Sequence, residues 1–363
     1  MAPREEKVSG LIESSKMVIK DCCLENGSIV AANPIKPYYP KDAKSYFYVW
    51  PRDAFFTCMA ADILQIEGIQ EKYFKWLMER AESWRETGLF YEKYHVNGLQ
   101  ALHRFQPDQT GCVIISASNF LNNEKYIKYK ERYERLVVNS AEGLCNAWNN
   151  KHFSTQTNDL WEEKNTFPDL EDNFMYSLSA CIKGLSCANE LFPNKRYAKT
   201  AKEMKDLLVD NAEEKGNLFR AFGKIDDLSI DASLLGVIWP FEVIGYEDTL
   251  AENTLELIKE KLVNDYGVYR YEKDIYDGWM HKGEGKNKGA GFWPILNFWM
   301  CIVLNKMGKK KDAEKYYQKV IDSLDGDLIP EQIFNNKIQK SVSPLCWSHS
   351  MFIIATKELG YID

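Results

Sequence analysis

The sequence predicts an all-α fold, a single-domain (α/α)6 barrel of six inner and six outer helices. Three observations predict it. Helical periodicity dominates the chain. The helices come in successive pairs, one apolar nearly all round and the next apolar along a single stripe. The pair recurs about six times, with connections of a handful of residues. A helix apolar on every side must be wrapped by protein, whereas a one-striped helix faces solvent with its other side. A double ring of helices satisfies both demands. A solenoid of repeats is disfavoured, because the units share no sequence signature of the tetratricopeptide or ankyrin kind. No Gly/Ser/Pro-rich linker interrupts the chain, so residues 1–363 are expected to form one domain.

The pairs are legible in order. Asp53–Leu64 is followed by Tyr73–Trp84, and Gly111–Leu121 by Tyr126–Trp148. Asn173–Leu191 is rich in small and apolar residues. After it, Tyr197–Ala212 places Tyr197, Ala201, Met204, Leu207 and Leu208 on one face and Lys199, Lys202 and Asp206 away from it. Gly291–Met307 is apolar nearly all round, and Lys309–Leu324 carries Ala313, Tyr316, Tyr317, Val320, Ile321 and Leu324 on one stripe. Strand-like segments are few and short, Gly267–Tyr271 among them.

Composition narrows the function classes. With 46 basic and 53 acidic residues the net charge is −7, and no basic stripe marks a nucleic-acid binder. An apolar content of 45 % excludes disorder. The most apolar stretch, Gly291–Met307, carries Pro294, Asn297 and Asn305 and is too short to span a bilayer. The first ten residues hold charges where a leader would need an apolar run, so no export is expected. The 9 cysteines are scattered without metal-binding spacing, and Cys22 and Cys23 are adjacent, which predicts reduced, mostly buried thiols and a cytoplasmic protein. No metal or cofactor site is indicated. The unusual number is the aromatic fraction, 13 %, with 10 Trp and 20 Tyr.

Four loops between the helices concentrate Trp, Tyr, Asp, Glu and Arg. The first is Tyr46–Asp53 (YFYVWPRD), where rings beside an Arg52–Asp53 pair suit a sugar: rings cover its apolar face and the charged pair bonds its hydroxyls. A plainer alternative is that Asp53 caps the helix starting at Ala54 and the rings are core. The second is Asn158–Glu163 (NDLWEE), either a helix start or a carboxyl held beside an indole, where the charged form is disfavoured and the group can donate a proton. The third, Tyr269–Gly278, sets Arg270 between two tyrosines, which fits a hydroxyl-binding site or a surface strand. The fourth joins Leu328–Gln332, with Glu331 among Ile329, Pro330 and Ile333, to Ser343–His349 at a helix start. His349 is open between pocket wall and core. The polar segment 282–288 (KGEGKNK) is an exposed loop or a cover over a site.

Taken in order, YFYVWPRDA, DLWEE, RYEKDIY, PEQ and PLCWSHS resemble glycoside hydrolase family fifteen, the glucoamylase family, from about Tyr46 to His349. The resemblance implies an (α/α)6 barrel, reached independently above, and inverting exo-glucosidases that remove glucose from the non-reducing ends of α-glucans. It implies Glu162 as the general acid, Glu163 as an acceptor-side binding residue and Asp159 as a neighbour that influences the acid. Glu331 matches the general base. Arg52 and Asp53 match the pair on the terminal glucose, Tyr46 the aromatic near the developing oxocarbenium and Arg270 a further sugar-binding arginine. Trp50, Trp161 and Trp347 resemble pocket walls.

Inversion needs an acid and a base about 6.5–9.5 Å apart on opposite faces of the sugar, with a water between them. The expectation is that Glu162, against Trp161, stays protonated while Glu331 stays ionised. Neither metal nor cofactor is required. Neither an N-terminal β-sandwich nor a starch-binding module is expected. Gln106 and Asp108 fit the family, but the tryptophan that fungal members place just upstream is missing, with Leu102 near that place. The implied substrates are short soluble glucosides: α-1,4 oligosaccharides first, then isomaltose-type α-1,6 links or trehalose. A sugar-binding regulatory domain without turnover is the rival from another class. Linkage and oligomeric state are not legible.

Overall fold

The computed structural model describes residues 3–278, 289–336 and 338–362. The α-helices in chain order are α1 (Pro3–Cys22), α2 (Pro51–Ile63), α3 (Ile69–Arg80), α4 (Trp84–Thr87), α5 (Pro107–Asn122), α6 (Lys130–Ala147), α7 (Met175–Leu191), α8 (Lys195–Lys215), α9 (Leu235–Ile238), α10 (Thr249–Leu262), α11 (Pro294–Lys306), α12 (Lys310–Ser323) and α13 (Cys346–Glu358). Six of them close a ring. Helix α2 packs on α5, α5 on α7, α7 on α9, α9 on α11, α11 on α13, and α13 back on α2. Outside it, α3, α6, α8 and α12 lie against the inner helix each one follows, and α10 packs on the 3-10 turn that opens α9. The ring is completed by α1, from the start of the chain, against α13 from its end.

The apolar patterns explain this sorting. Every residue of α11 from Pro294 to Leu304 is buried, whereas α12 buries Ala313, Tyr316, Tyr317, Val320 and Ile321 and leaves its lysines in water. Helix α7 buries both flanks of its axis, and α8 buries chiefly Tyr197, Thr200, Ala201, Met204, Leu208 and Ala212. The expected helix Tyr73–Trp84 is divided, with α3 running Ile69–Arg80 and Trp84 opening α4, and other boundaries shift at prolines. Helix α2 starts at Pro51, two residues before the expected Asp53, and Phe292 and Trp293 precede α11 in extended form because Pro294 disfavours a helical residue before it. Tyr126 belongs to a 3-10 turn, Glu124–Tyr129, ahead of α6. Two pairs escaped the sequence reading. Helix α9 is one turn long and has no period to detect, and α1 and α13 are partners from opposite chain ends.

Among the described residues three two-stranded antiparallel ribbons brace the loops: β1 (Thr157–Asn158) with β2 (Asn165–Thr166), β3 (Asn173–Phe174) with β4 (Ala221–Phe222), and β5 (Val263–Asn264) with β6 (Gly267–Val268). The expected strand Gly267–Tyr271 is thus cut to β6. Along the barrel axis Phe56 stacks on Trp347 at 5.2 Å and meets Trp299 at 5.8 Å and Trp239 at 6.3 Å, which plugs the barrel with rings. All nine cysteines are free thiols, with eight buried and Cys23 partly so. Among the described residues no helix is long and apolar enough to cross a membrane. The segment 282–288 lies outside the described residues.

Candidate active site

Each outer helix returns the chain to the same mouth of the ring, so the inner helices run in parallel and their N-terminal ends gather there. Pro51, Pro107 and Pro294 occupy the first helical turns of α2, α5 and α11, where a fixed φ and a missing N–H suit a helix start. The residues before them, Trp50, Gln106 and Trp293, are extended and leave the helix axis at the mouth. The positive ends of these helices favour carboxylates beside them. A cavity of about 320 Å³ opens at this mouth, and the aromatic plug makes it blind.

The floor is built by α2. Arg52 is buried: its backbone N–H donates to Gln109 Oε1 at 2.8 Å, Nη1 donates to Asp108 Oδ2 at 3.0 Å, and Nη2 lies 3.3 Å from Asp53 Oδ1. Its guanidinium carbon sits 5.2 Å from the Trp347 ring centroid. Asp53 caps nothing, since Trp50 holds the N-cap position, so it is free to face the cavity. Burial pushes its carboxyl up to about 6, against the pull of Arg52. Three buried wall atoms, Arg52 Nε, Trp293 Nε1 and Trp347 Nε1, have no hydrogen-bond partner among the described residues. Such atoms are costly in a dry wall and suit a ligand dense in hydroxyls.

Glu162 sits at the tip of the β1–β2 hairpin in the left-handed region, φ 64°, with its N–H donating to Asp159 O at 3.1 Å. Trp50 Nε1 donates to Glu162 Oε1 at 2.6 Å and Lys93 Nζ to Oε2 at 3.0 Å. The expected partner, Trp161, is turned away, donating to Asp231 Oδ1 at 3.0 Å. The expected protonation state is corrected with it. Burial pushes Glu162 up, but the Lys93 ammonium, the Glu92 carboxyl and Arg52 outweigh burial and the group is lowered.

Glu331 approaches from the loop before α13. Its backbone N–H donates to Val342 O at 2.8 Å, and it accepts from the Tyr46 hydroxyl at 3.1 Å and the Tyr276 hydroxyl at 3.3 Å. Burial pushes it up to about 7, against Arg270, the two tyrosines and Lys44. The two carboxyls therefore differ in environment as expected, but in the opposite sense: the wall around Glu162 carries the ammonium.

The remaining candidates divide between wall and support. Arg270 is buried among the rings of Trp161, Tyr276 and Trp293, clamped by Asp274 at 2.7 and 2.8 Å, and donates to Glu163 Oε1 at 2.9 Å. Glu163 also accepts from the Tyr271 hydroxyl. Asp159 is not a wall residue. Its Oδ1 accepts the Glu163 and Lys164 backbone N–H groups at 2.8 and 3.0 Å, so it holds the hairpin tip from behind. His349 is fully buried outside the pocket, where its Nε2 accepts from Ile329 N–H at 2.9 Å and Nδ1 meets the Ser15 hydroxyl at 2.8 Å. The sequence reading missed Glu92, Lys93 and Trp293, and left Tyr276 without a role. Phe90–His95 (FYEKYH) mixes rings and charges as the four loops do, and that was the available signal.

A closed ring of inner helices sheathed by outer ones, with a cavity walled by rings and carboxyls at one mouth, defines an α/α barrel. The chain belongs to the glycosyl hydrolases family 15, whose model matches residues 4–321. An uncharacterised glycosyl hydrolase of Methanocaldococcus jannaschii is 28% identical over 380 residues, covering 98% of this chain and 57% of that protein, so the chain spans little more than half of it. An isomaltose glucohydrolase of Kribbella flavida is 25% identical over 147 residues, 37% of this chain and 35% of that one. A glycosidase solved in complex with glucose superposes with a TM-score of 0.81 at 20% identity, covering 100% of both chains.

Proposed function

We propose that the protein is an inverting, exo-acting α-glucosidase that releases terminal glucose from short α-glucosides and needs no cofactor. The observation that carries this is the presence of Glu162 and Glu331 on separate walls of one blind, sugar-sized cavity, each held by different partners. Glu162 is the proton donor to the glycosidic oxygen, and Glu331 takes a proton from the attacking water. A buried base with a pKa near 7 matches a group that must accept a proton at neutral pH. Arg52, Asp53 and Trp347 hold the terminal glucose, and the plug beneath them prevents a chain from threading through, which makes the action exo. Tyr46, bonded to Glu331, faces the developing oxocarbenium. Trp50, Trp161, Glu163 and Arg270 form the walls toward the leaving sugar, with Asp159 supporting the hairpin tip.

Short α-1,4 oligosaccharides are the proposed substrates. A second reading moves the bond to α-1,6 and is supported by the segment similar to an isomaltose glucohydrolase. Specificity constants for maltose, isomaltose and trehalose decide between them. Glu162→Gln and Glu331→Gln should each lower kcat on the preferred disaccharide by at least about 10²-fold with sugar affinity retained. Near-native turnover by either variant removes that residue's role, and sugar binding by the parent protein without any glucose release favours a binding domain instead.

A further inference from the structure

Glu92 is a buried charge that the reaction proposed above does not use. Its side chain is completely buried, and cations rather than neutral donors face its two carboxyl oxygens. It is fixed from its backbone, with its N–H donating to Arg104 O at 2.9 Å while the adjoining Tyr94 N–H bonds Val49 O at 2.9 Å, one residue before Trp50. Lys93 Nζ lies 2.9 Å from Glu92 Oε1 and 3.0 Å from Glu162 Oε2, so one ammonium bridges two carboxyls. Arg104, half in solvent, reaches Glu92 Oε2 at 3.5 Å. From α2 the facing groups are Arg52 and Asp53, and from α5 Asp108, which is itself paired to Arg52. Four carboxyls thus face the buried Arg52, the part-buried Lys93 and the half-exposed Arg104. Burying an uncompensated carboxylate is costly, and such a cluster is relieved by retaining a proton.

We propose that Glu92 is a positioning residue that shares one proton with Glu162 across the Lys93 ammonium and passes it to Glu162 before the glycosidic oxygen is protonated. This rests on Glu162 being the proton donor. It also explains how a donor lowered by its lysine still carries a proton at neutral pH. Burial and the neighbouring Glu162 push Glu92 up to about 7, so the pair keeps a proton that Glu162 alone would lose. The step balances. A Lys93 N–H bond breaks as the Glu162 O–H bond forms, the Glu92 O–H bond breaks as its proton restores the Lys93 ammonium, and Glu162 then gives its proton to the glycosidic oxygen as the bond from that oxygen to glucose C1 breaks. Water adds its oxygen to C1 and its proton to Glu331. Glu331 releases that proton to solvent, and the pair regains one.

The test is a carboxyl-¹³C NMR titration of the full chain labelled at glutamate. It is run in a Glu331→Gln background to silence the other carboxyl near neutrality. The step near pH 7 should vanish in Glu92→Gln, persist in the Glu162 signal of Glu92→Asp, and move down by at least about one pH unit in Glu162→Gln, because the partner's charge is gone. A step that persists in Glu92→Gln, or stays put in Glu162→Gln, overturns the shared proton. Kinetics in the Glu331 parent test the transfer. α-Glucosyl fluoride departs with little need of an acid, so the ratio of its turnover to that of the preferred disaccharide should rise at least about tenfold in Glu92→Gln. An unchanged ratio overturns the hand-over. A parent protein that cleaves neither substrate sinks the α-glucosidase reading, while the titration still decides whether the proton is shared.

Discussion

Glu162 holds a left-handed backbone conformation, φ 64°, that residues with side chains seldom adopt. What over-determines it is local: Asp159 ties the hairpin tip from behind, and Trp50 and Lys93 pin the carboxyl from the front. The sequence carried the identity of this residue in DLWEE, but not its company, because Trp50 and Lys93 come from segments far off in the chain. Proximity in sequence suggested Trp161 instead. His349 shows the same gap. Burial pushes its pKa down to about 3, so it is neutral and its Nε2 accepts the Ile329 N–H that anchors the loop carrying Glu331. A folded pKa below the unfolded value near 6.5 means the unfolded chain binds the extra proton. The contribution of His349 is therefore full above about pH 6.5 and is lost as the pH falls toward 3. In thermal melts the parent should exceed His349→Gln in Tm at pH 7.5, and the gap should shrink by pH 5. A gap that is constant or grows on acidification contradicts a buried neutral imidazole.

At the scale of elements, the α5–α7 contact depends on residues too small to separate the helices. A Cβ on Gly111 would stand 2.5 Å from Ala180 O, and one on Gly184 would stand 3.0 Å from Gly111 O. Gly111→Ala should destabilise the protein by about 1–3 kcal/mol, the usual cost of overpacking, in spite of alanine's better helix propensity. Urea unfolding checks it, and a stabilised variant would show that the helices have room to part. Most long helices were legible because their apolar period is strong. Gly291–Met307 and Lys309–Leu324 were placed to within three residues of α11 and α12. The misplaced starts of α2, α5 and α11 lie at prolines, which end extended segments as readily as they begin helices, whereas α3 starts after Gly68 and α6 after a 3-10 turn. The one-turn α9 and the ribbons β1–β2 and β3–β4 have too few residues to carry a period, and only their tertiary neighbours hold them.

At the scale of the molecule, a closed ring of parallel inner helices gathers four distant loops at one mouth, which is why motifs scattered from Tyr46 to Trp347 line a single cavity. That convergence follows from the alternation of wrapped and one-sided helices, and so was readable in advance. The electrostatic asymmetry was not, because Lys93 and Glu92 lie far from Glu162 in the chain and only the fold brings their charges to it. The central claim is that Glu162 and Glu331 act on opposite faces of one glucosyl ring, with a water on the Glu331 side. Proton NMR of freshly mixed enzyme and its preferred α-linked disaccharide reads this from the anomeric signal of the first glucose released. The account predicts the β-anomer before mutarotation; α-glucose appearing first would contradict it.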